Sequence, residues 1–298
     1  MIASASILAT LVLDTLVGEP PERIHPIAIL GRAISVFDRS WVAPRLVGSF
    51  VALGIPLVVG GTLGLSTEIA WGIDPRLAGA FATLVLFSTT SLRSLRQAAT
   101  TVIEATDGAV ETARLESLAL VGRNTDDLSP AALRSGAIES AAENLADGLV
   151  APLLAFSLGA LISLPVGVAA AAIIKTVNTL DSMLGYRDKP VGWASARLDD
   201  ALMFLPARVS AVLIAMAAGS PSALARARAS ARVPTSPNSG WPMATMAAAL
   251  DVRLEKRDAY VLNPTGGPPT VAAGRRAVHV TGVAGVGAFL MAGVIAWF

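Results

Sequence analysis

Apolar runs with almost no charge recur along this chain: Met1 to Val17, Leu46 to Ser66, Leu77 to Leu92, Val150 to Ile174, Leu202 to Gly219 and Val278 to Phe298. An α-helix needs about 20 apolar residues to cross a hydrocarbon core, and backbone groups in lipid must satisfy one another, so such runs read as membrane helices. Composition agrees: 15% of residues are charged and the mean hydropathy is +0.62, against about 25% charged in an ordinary soluble domain. A net charge of +1 gives no footprint for nucleic acid. Cysteine is absent and the histidines are His25 and His279, which excludes disulfides and makes a multi-histidine metal centre untenable. No cleavable signal is expected, because Met1 to Val17 lacks a basic leader and carries Asp14 near its end.

The expected fold class is all-α: a polytopic integral membrane helical protein of about four full spans, 1–17, 46–66, 77–92 and 278–298. Val150 to Ile174, with Pro152 and Pro165, and Leu202 to Gly219, with Pro206 and Arg208, are expected as proline-broken or re-entrant helices. Basic residues cluster in 18–45, 93–149 and 220–277, which puts these segments in the cytoplasm and makes 93–149 a cytoplasmic helical insertion. We expect a single membrane domain over 1–298, with a motif-bearing core at 121–200 and a last membrane helix at 278–298. In that last helix Gly282, Gly285 and Gly287 suit close helix packing.

The core window concentrates polar chemistry in an otherwise oily chain. A charge inside a bilayer costs about 2.5–3.5 kcal/mol on insertion scales, so intramembrane charges mark function by default. Ser129-Pro130 predicts a helix start, with an N-cap and a proline at the first helical position. Glu139 and Glu143 then lie four apart on one face, and Asp147 continues the stripe. Like charges at that spacing repel, so the stripe calls for Arg, Lys or Mg²⁺. Lys175, Asn178 and Ser182 share one helical face, and Asp181, Asp199 and Asp200 add to the acids of the window. Arg93 to Val121 reads as a solvated amphipathic helix. His25, held extended before Pro26, is read as surface or as a site residue. SPNSGWP (236–242) is a polar turn whose backbone N–H groups can hold an anion. No P-loop is present. Acids, cations (Arg123, Lys175, Arg187, Arg197, Arg208) and amides (Asn144, Asn178, Asn238) in this mixture suit Mg²⁺–phosphate chemistry and a transporter's polar path equally.

The motif series LDTLVGEPPERIHPIAILGR, VGRNTD, AIESAAENLADGLVAPL, KTVNTLDSMLGYRD, ARLDD, LPAR and SPNSGWPMATMAAAL resembles that of the CobD/CbiB family of cobalamin biosynthesis, in order over residues 11 to 265. That resemblance implies an adenosylcobinamide-phosphate synthase in a bacterial or archaeal cytoplasmic membrane, with its active site at the cytoplasmic face. The implied reaction joins adenosylcobyric acid to aminopropanol or its phosphate in an amide bond, using ATP and Mg²⁺. The corrinoid is substrate rather than cofactor, and other late cobalamin-pathway membrane enzymes are implied as partners.

Carried over motif by motif, the resemblance implies catalytic roles for Glu139, Glu143, Asp147, Lys175 and Asp181. It implies substrate or phosphate contacts for Asp14, His25, Arg123, Asn144, Asn178, Arg187, Arg208 and Asn238, and metal contacts for Glu143, Asp147, Asp199 and Asp200. The chain departs from the pattern at Asn124, where the family carries Asp. It departs again at Leu254-Glu255-Lys256, where the family carries a glycine-rich stretch, and 253–277 is expected as a loosely ordered lid or linker. Two other readings compete: a non-catalytic sensory or regulatory membrane relative, and a corrinoid transporter.

Overall fold

The computed structural model describes residues 1–21, 23–121, 125–186 and 188–298. Arg123, Arg187 and the departure at Asn124 lie outside these residues. Among the described residues the fold is helical except for one small hairpin. It packs as two compact units, the first of 1–91, 147–203 and 289–298 and the second of 92–146 and 204–288. The 121–200 core is therefore divided between them.

Unit 1 holds α1 (Ile2–Leu16), α2 (Pro26–Ser35), α3 (Pro44–Ile73), α4 (Pro75–Thr89), α8 (Ala151–Ala160), α9 (Leu164–Leu184) and α10 (Trp193–Leu202). Its α1 is built inside out. Ser4, Ser6, Thr10 and Asp14 are buried, while Leu8, Val12 and Leu16 are exposed. The Ser6 hydroxyl donates to the Gly79 carbonyl at 2.9 Å and the Thr10 hydroxyl to the Thr83 carbonyl at 3.3 Å, stitching α1 to α4. Polar stitching inside and apolar side chains outside is the arrangement lipid favours, because lipid offers no hydrophobic drive between helices.

On α3, Phe50, Leu57, Val58 and Leu65 are likewise exposed, while Gly60 and Gly64 back directly onto Ala169, Ile173 and Pro165 of α9. A side chain at either glycine would push these helices apart. Ile34, Val51, Leu180, Leu184 and Val191 form the apolar centre of this unit.

The break expected from Pro152 has a different form. Residues Ala146–Val150 make a π-turn ahead of α8. Proline at 152 has no N–H to give the Gly148 carbonyl, and the Ser91 N–H takes that carbonyl instead at 3.1 Å. The chain reverses only at Leu161–Ser163, where the Ser163 hydroxyl caps the Val166 N–H of α9 at 3.4 Å. Asp147 thus sits in the π-turn, off the regular four-residue spacing of Glu139 and Glu143.

Unit 2 holds α5 (Arg93–Ala105), α6 (Val110–Val121), α7 (Pro130–Leu145), α11 (Phe204–Ala217), α12 (Ala223–Ala227), α13 (Gly240–Leu250), β1 (Leu254–Lys256), β2 (Tyr260–Leu262) and most of α14 (Val271–Ile295). The single helix expected over 93–121 is two helices, broken where Gly108 takes φ +112°, a backbone state that glycine adopts without steric cost. The start of α7 is as the sequence predicts, with the Ser129 hydroxyl accepting the Ala132 N–H at 3.2 Å. Ala99, Val102, Ile103, Leu133, Ala137 and Ala141 form the core of α5, α6 and α7.

The segment 253–277 is not a loose lid. β1 and β2 pair antiparallel with Lys256 opposite Tyr260, and the Arg253 N–H donates to the Gly267 carbonyl at 2.7 Å. The Arg134 guanidinium ties the following loop by donating to the Pro269 carbonyl at 2.7 Å.

Among the described residues, four helices are long and apolar enough to cross a membrane: Pro44–Ile73, Pro130–Ala160, Leu164–Leu184 and Val271–Ile295. The expected number holds, but the set differs. α1 and α4 have 15 residues each, about 22 Å of rise against a hydrocarbon core of about 30 Å. They are replaced by the two helices flanking Leu161–Ser163, so 150–174 is no single broken element. Residues 130–148, expected within a cytoplasmic insertion, belong to one of the four long helices. Pro190–Leu202 and Phe204–Ala217 qualify only together, bent by 49°.

Candidate functional site

The predicted residues fall into two sets, one in each unit. In unit 2 the acidic face of α7 meets the hairpin. Glu139 is 5% exposed, and both its carboxylate oxygens are engaged. The Ser135 hydroxyl donates to Oε1 at 2.8 Å and the Tyr260 hydroxyl to Oε2 at 2.8 Å. Ser135 in turn accepts the Glu255 N–H of β1 at 2.7 Å. A buried carboxylate left without donors would be costly, and here hydroxyls from its own helix and from the hairpin meet that demand. Glu139 therefore works as the post that docks the hairpin on α7.

One turn on, Glu143 and Asn144 line a cleft of about 80 Å³ with Ser140, Lys256 and Tyr260. The Asn144 amide donates to the Ser140 carbonyl and hydroxyl, both at 3.0 Å, which turns its own carbonyl oxygen away from that helix turn. Elsewhere in the unit, the Arg208 guanidinium donates to the Asn238 side-chain oxygen, to the Phe204 carbonyl at 2.9 Å and to the Pro237 carbonyl at 3.3 Å. It also lies 3.9 Å from the centroid of the Phe204 ring. Asn238 is 3% exposed; the SPNSGWP turn is thus the clamp that orients Arg208.

In unit 1 the charges face one another. Lys175 on α9 is half-buried and lies within electrostatic reach of Asp147 and Glu19. Further along α9, Asp181 lies within electrostatic reach of Asp200 of α10, and Arg197 stands 3.7 Å from the Asp200 carboxylate. Asn178 lies between Lys175 and Asp181 on α9. Gly185 has a steric reason: any side chain there would collide with the Asp181 carboxylate. Asp199 is half-buried beside Asp200. Asp14 is 2% exposed within α1.

His25 has a local task. Its Nδ1 accepts the Ile27 N–H at 3.1 Å as the N-cap of α2. An accepting Nδ1 carries no proton, so the neutral ring has its proton on Nε2. Among the described residues, no three His, Asp or Glu side chains converge as a metal cage.

Residue-level reading of the sequence missed Ser135, Tyr260, Lys256 and Glu19. Ser135 had a signal, a hydroxyl four residues before Glu139. Tyr260 and Lys256 had none, because their segment read as a linker.

With this geometry in view, comparison with known proteins is informative. The model of the family described as CobD/Cbib protein matches residues 7–284. The "Probable cobalamin biosynthesis protein CobD" of Methanothermobacter thermautotrophicus is 35% identical over 86% of this chain and 85% of its own. Proteins named "Cobalamin biosynthesis protein CobD" are 37% identical in Klebsiella pneumoniae, over 82% of this chain and 79% of theirs, and 37% identical in Mycobacterium tuberculosis, over 97% and 94%. No solved structure is similar to it. Matched along almost its whole length by the family and by relatives of nearly the same extent, this chain belongs to the CobD/Cbib protein family.

Proposed function

We propose that this protein is the membrane ligase of cobalamin biosynthesis that joins the free propionate of adenosylcobyric acid to aminopropanol or its O-phosphate, with ATP supplying the activation. The observation that carries this reading is family membership over residues 7–284 with the acids, amides and Lys175 in place. The relatives' names speak of cobalamin biosynthesis; the amide-forming step is our reading. It places the chemistry at the cytoplasmic side of the cytoplasmic membrane, where ATP is available.

The residues have chemistry suited to the parts of such a reaction. An amine must lose a proton before it attacks an acyl group, and Glu143 lines an open cleft from which it can take one. Lys175 supplies positive charge for phosphate oxygens. Mg²⁺ is ordinarily held by one or two carboxylates together with substrate phosphates. Asp181 and Asp200, within electrostatic reach of one another, fit that manner of binding better than a closed protein cage, since among the described residues no three acids or histidines converge. When bound, magnesium would neutralise charge on the γ-phosphoryl group as it passes from ATP to the propionate, giving an acyl phosphate from which the amine displaces inorganic phosphate as the amide bond forms.

The test is direct. Purified protein given ATP, Mg²⁺, adenosylcobyric acid and aminopropanol phosphate should consume ATP and yield the amide, and Glu143→Gln should abolish product while the protein remains folded in membranes. A corrinoid transporter or a sensory relative would give no amide. Near-normal turnover by Glu143→Gln would remove Glu143 from the reaction.

A further inference from the structure

The cleft beside Glu143 has two walls of opposite character. On the α7 wall stand Glu143, Asn144 and Ser140; on the hairpin wall stands Lys256. Lys256 is paired across the two strands with Tyr260, and directly opposed residues of an antiparallel pair project from the same face. Tyr260 is itself tied to Glu139 at 2.8 Å, and β1 is tied through the Glu255 N–H to Ser135 at 2.7 Å. These two bonds hold the hairpin to α7 at both strands, so Lys256 comes from a braced strand rather than a free loop. The turn is closed behind it by the Ala259 N–H donating to the Lys256 carbonyl at 3.0 Å.

The volume limits what can enter. At about 80 Å³ the cleft is far below the roughly 300–1,000 Å³ typical of sites for larger ligands, so it suits a small molecule rather than the body of the corrinoid. A small molecule with an amine at one end and an anionic group at the other matches the carboxylate on one wall and the ammonium on the other. We propose that this cleft is the subsite for the amine donor and that Lys256 reads the donor's phosphate, making it the residue that separates phosphorylated from free amino alcohol. The assignment rests on the ligase reading above.

Full-length protein in lipid nanodiscs, with ATP, Mg²⁺ and adenosylcobyric acid, is supplied with either aminopropanol O-phosphate or free aminopropanol, and amide formation is followed. Lys256→Gln should raise KM for the phosphorylated donor roughly 10- to 100-fold, the range of a lost hydrogen bond to a charged group. The preference for that donor over the free one should fall by the same factor. Lys256→Arg should restore most of it. Lys256 is exposed, and substitutions at such positions disturb folding little. An active Lys256→Gln protein with the preference of the wild type overturns the assignment alone, as does an equal loss with both donors. A wild-type protein that turns over neither donor overturns the ligase reading and this assignment with it.

Discussion

Glu139 in unit 2, buried, and Asp181 in unit 1, half-buried, both stand on apolar helices, and their surroundings differ in kind. Glu139 is met by hydroxyls, with Ser135 on one oxygen and Tyr260 on the other. Asp181 faces a second acid, Asp200, and the residue that would crowd its carboxylate is reduced to Gly185. A carboxylate whose two oxygens each accept a hydroxyl hydrogen bond has those oxygens held by the fold, which suits a structural task. An acid beside an acid gains nothing from that neighbour and calls for positive charge, part of which Arg197 brings at 3.7 Å from Asp200, and such a setting suits binding and chemistry. The same division separates Glu139 from Lys175, whose electrostatic neighbours are Asp147 and Glu19. Density of charge along the sequence does not distinguish the two situations; the partners do.

The strongest way to break this comparison is at Lys175. Lys175→Met should lower kcat/KM by at least about 100-fold, the scale of losing one charge-stabilising group from a reaction site, with a melting temperature close to that of the wild type. Normal turnover would return Lys175 to a packing role and erase the contrast.

Glu139→Gln should act in the opposite sense, chiefly on stability. An amide puts an N–H₂ where a hydroxyl donates, which costs about 1–3 kcal/mol and lowers Tm by roughly 2–4 °C per kcal/mol. Tyr260→Phe should cost about 0.5–1.5 kcal/mol. The double variant should lose less than the sum, because both changes break one bond. Additive losses in thermal melts would show that the Tyr260–Glu139 bond does not dock the hairpin.

The smallest effect is expected at an exposed pair. Arg275 grips Glu104 with two bonds, at 2.7 and 2.6 Å, and this holds the Glu104 carboxyl below its ordinary value. A depressed carboxyl contributes stability that is fully present above the ordinary glutamate range and is lost as pH falls through the depressed value. Glu104→Gln should therefore shift the neutral-pH melt only slightly, and the shift should vanish in acid. A shift as large as that of Glu139→Gln would mean that exposure is a poor guide to which acids are structural here.

The residues proposed above for the reaction, Glu143, Asn144, Lys175, Asp181 and Asp200, are each marked in the sequence as charged or amide groups beside apolar runs. Their division into two sets is not legible there. The hairpin was missed because β1 and β2 have three residues each, too short for an alternation of apolar and polar residues to register. The helices Pro130–Ala160 and Leu164–Leu184 differ from the broken or re-entrant element expected over 150–174, because a proline does not by itself break a helix whose freed carbonyl finds another donor. Pro152 sits inside a continuing helix once the Ser91 N–H answers the Gly148 carbonyl.

By itself the sequence determined the class of fold and the start of α7. Apolar length and Ser129 before Pro130 act through the residue's own segment or neighbours a few residues away, whereas the prolines after Val17 suggest a loop where the structure has α2 capped by His25. Only the tertiary structure decided which acids are satisfied. The hydroxyl that meets Glu139 comes from Tyr260, 121 residues further on, and a hydrogen bond between distant segments leaves no periodic trace in either of them.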